Sequence, residues 1–268
     1  MYIVYYLFLK CKLLFILRAK IIVNNNLIYI STWSKISYTS MALVGLDKLS
    51  LLDYEDKISC VLFYKACNFR CPFCHNGLTV LEADNEYSFD SVIEYLKSRV
   101  GLIDAVVFTG GEPTLEPNLK KHIKQIKDLG FLIKLDTNGT NPEILKDLID
   151  EHLLDYVAMD IKNSPDKYPL TTGVNHVGLD KIKESISILR SSGIPYEFRT
   201  TLVNEFHKEE DMDKLGKLIQ NSPILYLQKF VERDGCIQKG LHEVDENTAN
   251  KFKIILEKYI QKVELRGY

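Results

Sequence analysis

From residue 41 onward the chain alternates two hydrophobic patterns. Apolar runs at residues 58–64, 105–108, 131–135, 156–161, 196–203 and 224–230 predict buried strands. Between them, apolar positions recur at helical spacing. Phe89, Val92, Ile93, Leu96 and Val100 form one stripe, with Ser88 placed to cap it and Gly101 to stop it. Leu119, Ile123 and Ile126 form a second, in a helix expected from about Pro117 to Gly130. Ile144, Leu145, Leu148 and Ile149 form a third, and Leu179, Ile182, Ile186 and Leu189 a fourth, closed by Gly193. Met212, Leu215, Leu218 and Ile219 precede the sixth strand, and Phe252, Ile255, Leu256 and Tyr259 mark a last helix.

Six strands alternating with helices predict an α/β fold, a parallel sheet covered by helices. Periodicity alone leaves open a doubly wound sheet or a curved partial barrel. In either, functional groups gather at the carboxyl ends of the strands. Four polar stretches fall there: a cysteine-rich loop, Gly110-Gly111-Glu112-Pro113, Asp136-Thr137-Asn138-Gly139, and Asp160-Ile161-Lys162. If strand alternation holds, Arg199 on the fifth strand and Gln228 on the sixth point to the same rim.

Residues 1–40 have a different character. The apolar stretch at residues 1–17 is interrupted by Lys10 and Lys12 and followed by Arg18 and Lys20. These charges cut short the roughly 20 apolar residues that a membrane span needs. A signal peptide would instead carry its charges first. The expectation is an N-terminal extension outside the working protein, with Met41 as an alternative start. An apolar anchor is the competing reading.

Charge nearly balances at −2, which excludes the basic footprint of a nucleic-acid binder. The cysteines change the picture. Cys11, Cys60 and Cys236 are scattered, so a disulfide framework is not indicated, and Cys60 lies in an apolar run as a small core residue. Cys67, Cys71 and Cys74 fall within eight residues, Cys67-Asn68-Phe69-Arg70-Cys71-Pro72-Phe73-Cys74, followed by His75 and Asn76. A structural zinc takes four protein ligands, whereas three leave a coordination position open for chemistry. An iron–sulfur cluster on three thiolates would keep one iron free. Two alternatives compete: a dithiol at Cys71 and Cys74, which leaves Cys67 without a role, and a zinc with His75 as fourth ligand. In the next loop, paired glycines admit close backbone approach, and the Glu112 carboxylate beside them can grip an ammonium. Asp and Asn before Gly are in themselves ordinary turn residues. The six histidines show no ligand spacing, and most are expected to be solvent-facing or locally hydrogen-bonded.

The Cys-x3-Cys-x2-Cys spacing, with Phe73 before the third cysteine, resembles the cluster loop of radical S-adenosylmethionine (SAM) enzymes, and Gly110-Gly111-Glu112-Pro113 is similar to that family's Gly-Gly-Glu-Pro motif. The resemblance implies a partial (β/α)6 barrel over residues 41–268. It implies a [4Fe–4S] cluster on Cys67, Cys71 and Cys74, with SAM on the fourth iron. It places Phe73, Gly110, Gly111 and Glu112 beside SAM. Asp136-Thr137-Asn138-Gly139 and Asp160-Ile161-Lys162 are similar to stretches of glycyl-radical-enzyme activases that surround the SAM carboxylate and the substrate pocket. Asp136, Thr137, Asp160 and Gln228 are therefore expected at the cofactor, and Lys162 and Arg199 at the chemistry.

Gly45-Leu46-Asp47-Lys48-Leu49-Ser50-Leu51-Leu52-Asp53-Tyr54 looks like the start of activating proteins of anaerobic ribonucleoside-triphosphate reductase. Those have Pro-Gly where this chain has Glu55-Asp56, a departure placed in a turn before the first predicted strand. The implied reaction is reductive cleavage of SAM to methionine and a 5′-deoxyadenosyl radical, which takes a hydrogen atom from a glycine of a partner enzyme. A flavodoxin or ferredoxin would supply the electron, in an anaerobic cytoplasm. Two other readings stand beside it: a radical SAM enzyme acting on a small molecule, as deazaguanine synthases do, and a non-enzymatic metal- or redox-binding protein.

Overall fold

The computed structural model describes residues 5–11, 14–23, 26–34, 43–77 and 86–268. Strands β1 (Tyr5–Cys11), β2 (Leu14–Val23) and β3 (Asn26–Ser34) form an antiparallel sheet in chain order, with Tyr5 opposite Lys20 and Phe15 opposite Ser34. They belong to a compact unit of their own, Met1–Thr39.

The second unit, Ser40–Tyr268, is built on eight strands. These are β4 (Leu43–Ser50), β5 (Ser59–Tyr64), β6 (Ala105–Gly110), β7 (Leu132–Thr137), β8 (Tyr156–Asp160), β9 (Tyr196–Leu202), β10 (Leu225–Lys229) and β11 (Val263–Arg266). All six apolar runs form strands. Two edge strands go beyond the sequence expectation: β4, antiparallel to β5, and the short β11, parallel to β10.

From β5 to β11 the spatial order equals the chain order and every pair is parallel. A doubly wound sheet must reverse its order once, at a switch point. No reversal occurs here, so each crossover steps the same way and the sheet curves into a partial barrel. The helices that return the chain are α1 (Phe89–Lys97), α2 (Leu119–Lys127), α3 (Pro142–Asp150), α4 (Tyr168–Thr172), α5 (Leu179–Ser192), α6 (Glu209–Leu218) and α7 (Glu246–Leu256). Local sequence sets their ends. Ser88 Oγ accepts the Ser91 main-chain N–H at 3.1 Å as the N-cap of α1, worth about 1 kcal/mol. Gly193, at φ 75°, closes α5.

Strand alternation divides the core. One set of side chains, including Leu62, Phe108, Leu135, Met159, Phe198 and Leu227, packs outward against the helices. Each such burial contributes about 1.5–3 kcal/mol. The other set points inward, where Tyr54, Val61, Ala105 and Val107 form a separate apolar cluster with Phe63, Leu132 and Tyr156. Two expected helix-face residues are exposed: Val100 lies beyond the end of α1, and Ile144 faces outward on α3. The segment after Gly111 makes a 3-10 turn at Pro113–Leu115 before α2, so that helix starts two residues later than expected from Pro117.

Residues 45–54 form most of β4 and the bend after it, and they end with Tyr54 inside the barrel, 5.4 Å from the Tyr156 ring. Asp56, in the turn that follows, has φ 58°, a left-handed conformation that suits glycine. Among the described residues no helix is long and apolar enough to cross a membrane.

Candidate active site

The cysteine loop leaves β5 at its carboxyl end and is fixed by its neighbours. Arg70 Nη1 donates to the carbonyls of Cys67 and Phe69, both at 2.6 Å, and the Arg70 N–H donates to Thr172 O at 2.8 Å. The Cys74 N–H closes the loop onto Cys71 O at 3.0 Å. Phe73 is buried against Phe206 and Phe230, with ring centroids at 6.1 and 6.5 Å. Cys236, one of the scattered cysteines, is buried beside this loop, and the Gln238 N–H donates to Pro72 O at 2.8 Å.

The glycine turn at the end of β6 lies directly on the cysteine loop. The Gly111 N–H donates to Tyr64 O at 2.8 Å and the Glu112 N–H to Ala66 O at 2.9 Å. A Cβ on Gly111 would lie 1.8 Å from Ala66 O, so only glycine fits. Gly110, at φ 113°, could not carry a side chain without strain.

Glu112 is fully buried, and four donors converge on its carboxylate. Oε1 accepts from the Thr114 N–H (3.2 Å), Thr114 Oγ1 (2.5 Å) and Thr137 Oγ1 (2.7 Å), and Oε2 from the Asn138 N–H (2.7 Å). Burial raises its pKa, while these donors favour the anion. Glu112 thereby ties the end of β6 to the end of β7.

Beyond it lies a ladder of charges. Asp136 meets Arg199 Nη2 at 2.8 Å as an ion pair without hydrogen-bond alignment. Asp160 Oδ2 accepts from Lys162 Nζ at 2.7 Å, and its Oδ1 lies 3.6 Å from Arg199 Nε. Burial alone would lower the Lys162 ammonium, but the Asp160 carboxylate outweighs it and the pKa rises. Burial would likewise raise Asp160, yet Lys162 and Arg199 hold it below the ordinary aspartate value.

Every residue expected at the cofactors or the chemistry lines one cavity of about 230 Å3: Cys67, Cys71, Cys74 and Phe73 from the first loop, Gly110, Gly111 and Glu112 from the second, then Asp136, Thr137, Asp160, Lys162, Arg199 and Gln228. Sequence reasoning missed the layer beneath. Lys134 and Glu197, both nearly inaccessible, lie 4.0 Å apart two residues before Asp136 and Arg199. Strand period two could have marked them as inward-facing. His207, expected among mostly solvent-facing or locally bonded histidines, is buried. The Val203 N–H donates to its Nδ1 (3.1 Å), so its Nε2–H donates to Lys162 O (2.9 Å).

The profile of the Radical SAM superfamily matches residues 61–219, which include the whole cysteine loop and the ends of β6 to β9. The chain belongs to the radical SAM superfamily. A Methanocaldococcus jannaschii protein with the provisional name glycyl-radical enzyme activating enzyme is 34% identical over 231 residues, 83% of this chain and 94% of that protein. A Sulfurisphaera tokodaii protein provisionally named GTP 3′,8-cyclase is 36% identical over 211 residues, 75% of this chain and 64% of that one. Among solved structures, Streptococcus suis SuiB bound to S-adenosylmethionine has the same fold, with a TM-score of 0.58 at 14% identity, over 75% of this chain and 48% of that one.

This radical SAM enzyme therefore belongs with proteins whose cofactors are a [4Fe–4S] cluster and SAM. The residues present fit that pair. Three thiols line one cavity, and the glycine beside them leaves the backbone bare. Among the described residues no three His, Cys, Asp or Glu side chains converge on a single metal ion. A cluster takes each thiolate on a separate iron, so three thiols spread along one cavity wall suit it. Burial pushes the Cys67 thiol up to about 12 and Cys71 to about 11, so the thiols must lose protons when they ligate.

Proposed function

We propose that this radical SAM enzyme is a glycyl-radical enzyme activase, and that its partner is an anaerobic ribonucleoside-triphosphate reductase. The observation that carries the reading is the single cavity that joins the cysteine loop, the Gly110-Gly111 turn and the charged ends of β7 to β9. The relative with the activase name supports it, since it is matched over 94% of its length. What supports the reductase subtype is the resemblance of residues 45–54 to the start of reductase-activating proteins; here they form most of β4 and carry the inward Tyr54.

In this reading Cys67, Cys71 and Cys74 hold the cluster, while Gly110, Gly111, Phe73, Asp136, Thr137, Asp160 and Gln228 surround SAM. When bound, a reduced cluster and SAM would supply the radical chemistry, which the protein has only to bind and orient. Glu112 serves from below. With four donors on its carboxylate, it fixes Thr137 and Asn138 rather than offering a free charge. Lys162 and Arg199 present cations locked by Asp160 and Asp136, so they meet a carboxylate or a peptide carbonyl without reorganising. Phe73, packed against Phe206 and Phe230 behind it, gives the cavity an apolar side. The electron donor is a flavodoxin or ferredoxin, and the setting is an anaerobic cytoplasm.

The test is anaerobic incubation of the reduced, reconstituted enzyme with SAM and a reductase from the same genome. A glycine-centred doublet in the electron paramagnetic resonance spectrum supports the assignment. SAM cleavage with no such doublet on any glycyl radical enzyme of that genome rejects it. A small-molecule substrate is the second reading, favoured by the 36% identity to the cyclase-named protein, although this chain spans only 64% of that length. Product analysis of metabolite extracts separates the two.

A further inference from the structure

Asn138 is the one residue of the Asp136-Thr137-Asn138-Gly139 stretch whose side chain reaches the cysteine loop. It is buried, and its amide is held on every side. Oδ1 accepts from the Thr140 N–H at 3.0 Å and from Thr140 Oγ1 at 2.7 Å. A main-chain N–H can only donate, so Oδ1 must face Thr140 and Nδ2 must face the opposite way. Nδ2 donates one hydrogen to Asn68 Oδ1 at 2.8 Å, and Asn68 Nδ2 in turn donates to Thr140 Oγ1 at 2.8 Å. The ring Asn138–Asn68–Thr140 is closed. The second hydrogen of Asn138 Nδ2 is left for Cys67 Sγ, 3.9 Å away. The Phe69 N–H reaches the same sulfur at 3.4 Å.

We propose that Asn138 is a positioning residue for the cluster, directing an amide N–H at the Cys67 sulfur and thereby raising the cluster's reduction potential. The inference rests on the assignment of Cys67 as a cluster ligand. Hydrogen bonds to ligating sulfurs are among the levers that set iron–sulfur potentials. A donor favours the reduced state, which carries one more negative charge, over the oxidised state. The closed ring matters because a donor that cannot rotate away keeps its effect through the redox cycle.

The experiment compares the reconstituted wild-type enzyme with Asn138→Ala, Asn138→Asp and Asn68→Ala, reading bound iron and then the midpoint potential by anaerobic redox titration. Asn138→Asp keeps the shape and the Thr140 contacts, so it covers the case in which alanine disturbs folding. Asn138→Ala is expected to keep wild-type iron content and to lose about tenfold in the one-electron reduction constant, a shift of about 59 mV to more negative potential, and Asn138→Asp, which also adds a negative charge, to shift further in the same direction. Asn68→Ala, which breaks the ring but leaves the donor, is expected to move the potential far less. Unchanged potentials in the Asn138 variants overturn the proposal, and so does an equal shift in Asn68→Ala, which would mark a brace rather than a donor. Wild-type iron content in Cys67→Ala would instead overturn the ligand assignment beneath it.

Discussion

Arg199 reaches across β8 to Asp136, placing its Nη2 2.8 Å from the Asp136 Oδ1 and linking the middle of β9 to the carboxyl end of β7 inside the barrel. Both side chains are 13% exposed, so the pair is shielded from solvent and from salt. Arg199→Ala would leave Asp136, Asp160 and Glu197 facing one another without it. Breaking a buried pair costs about 3–5 kcal/mol. A urea titration should show a loss of that size, and a loss below about 1 kcal/mol would mean that the pair does not hold the rim together.

Asp160 gives the site a pH dependence. Its folded-state pKa lies below the ordinary value of 3.8, so its contribution is fully present above that value and is lost as the pH falls through the folded pKa. Asp160→Asn should be less stable than wild type at pH about 6, with the gap closing towards pH about 2. A gap that stays constant over this range would show that its ion pairs with Lys162 and Arg199 are not the cause.

His207 acts in a higher window. Burial lowers its pKa from 6.5, so the folded protein keeps it neutral and the unfolded chain binds its proton first. Stability should therefore decline as the pH falls below about 6.5, through the folded pKa. His207→Gln should be less stable at pH 7.5 yet show a shallower decline between pH 6.5 and pH 5. An unchanged slope would place the acid sensitivity elsewhere.

Gly111→Ala tests the contact between the two cofactor loops. The added Cβ meets a backbone oxygen at 1.8 Å, so the Ala66–Cys67 peptide must move. Iron and sulfide bound after reconstitution should fall well below wild type while the fold, read by circular dichroism, persists. Full incorporation would show that the loop tolerates the shift.

The alternation of strands and helices was legible because parallel strands buried under helices read as apolar runs, as residues 105–108 do. The edges were not. In β4 the burial is mixed and the register shifts between Leu43 and Gly45 and again between Asp47 and Ser50, so no clean period survives. β11 has only four residues. The cavity's lining was legible because its residues sit in the later positions of strands or in the loops just after them, where polar side chains stand out against apolar runs. Lys134 and Glu197 were hidden within strands recognised only by their outward apolar neighbours, such as Ile133 and Phe198. Asn138 looked like a turn residue, and its link to Cys67 depends on a fold that brings positions 71 apart in sequence together.

The most direct measurement is of 5′-deoxyadenosine, formed anaerobically by the reconstituted enzyme with dithionite and SAM, beside a variant with Cys67, Cys71 and Cys74 all changed to Ala. Formation by the wild-type protein and its loss in the variant is the predicted result. Equal formation by both proteins, or none from a wild-type protein with an intact cluster, would contradict the assignment of this cavity as the site of radical SAM chemistry.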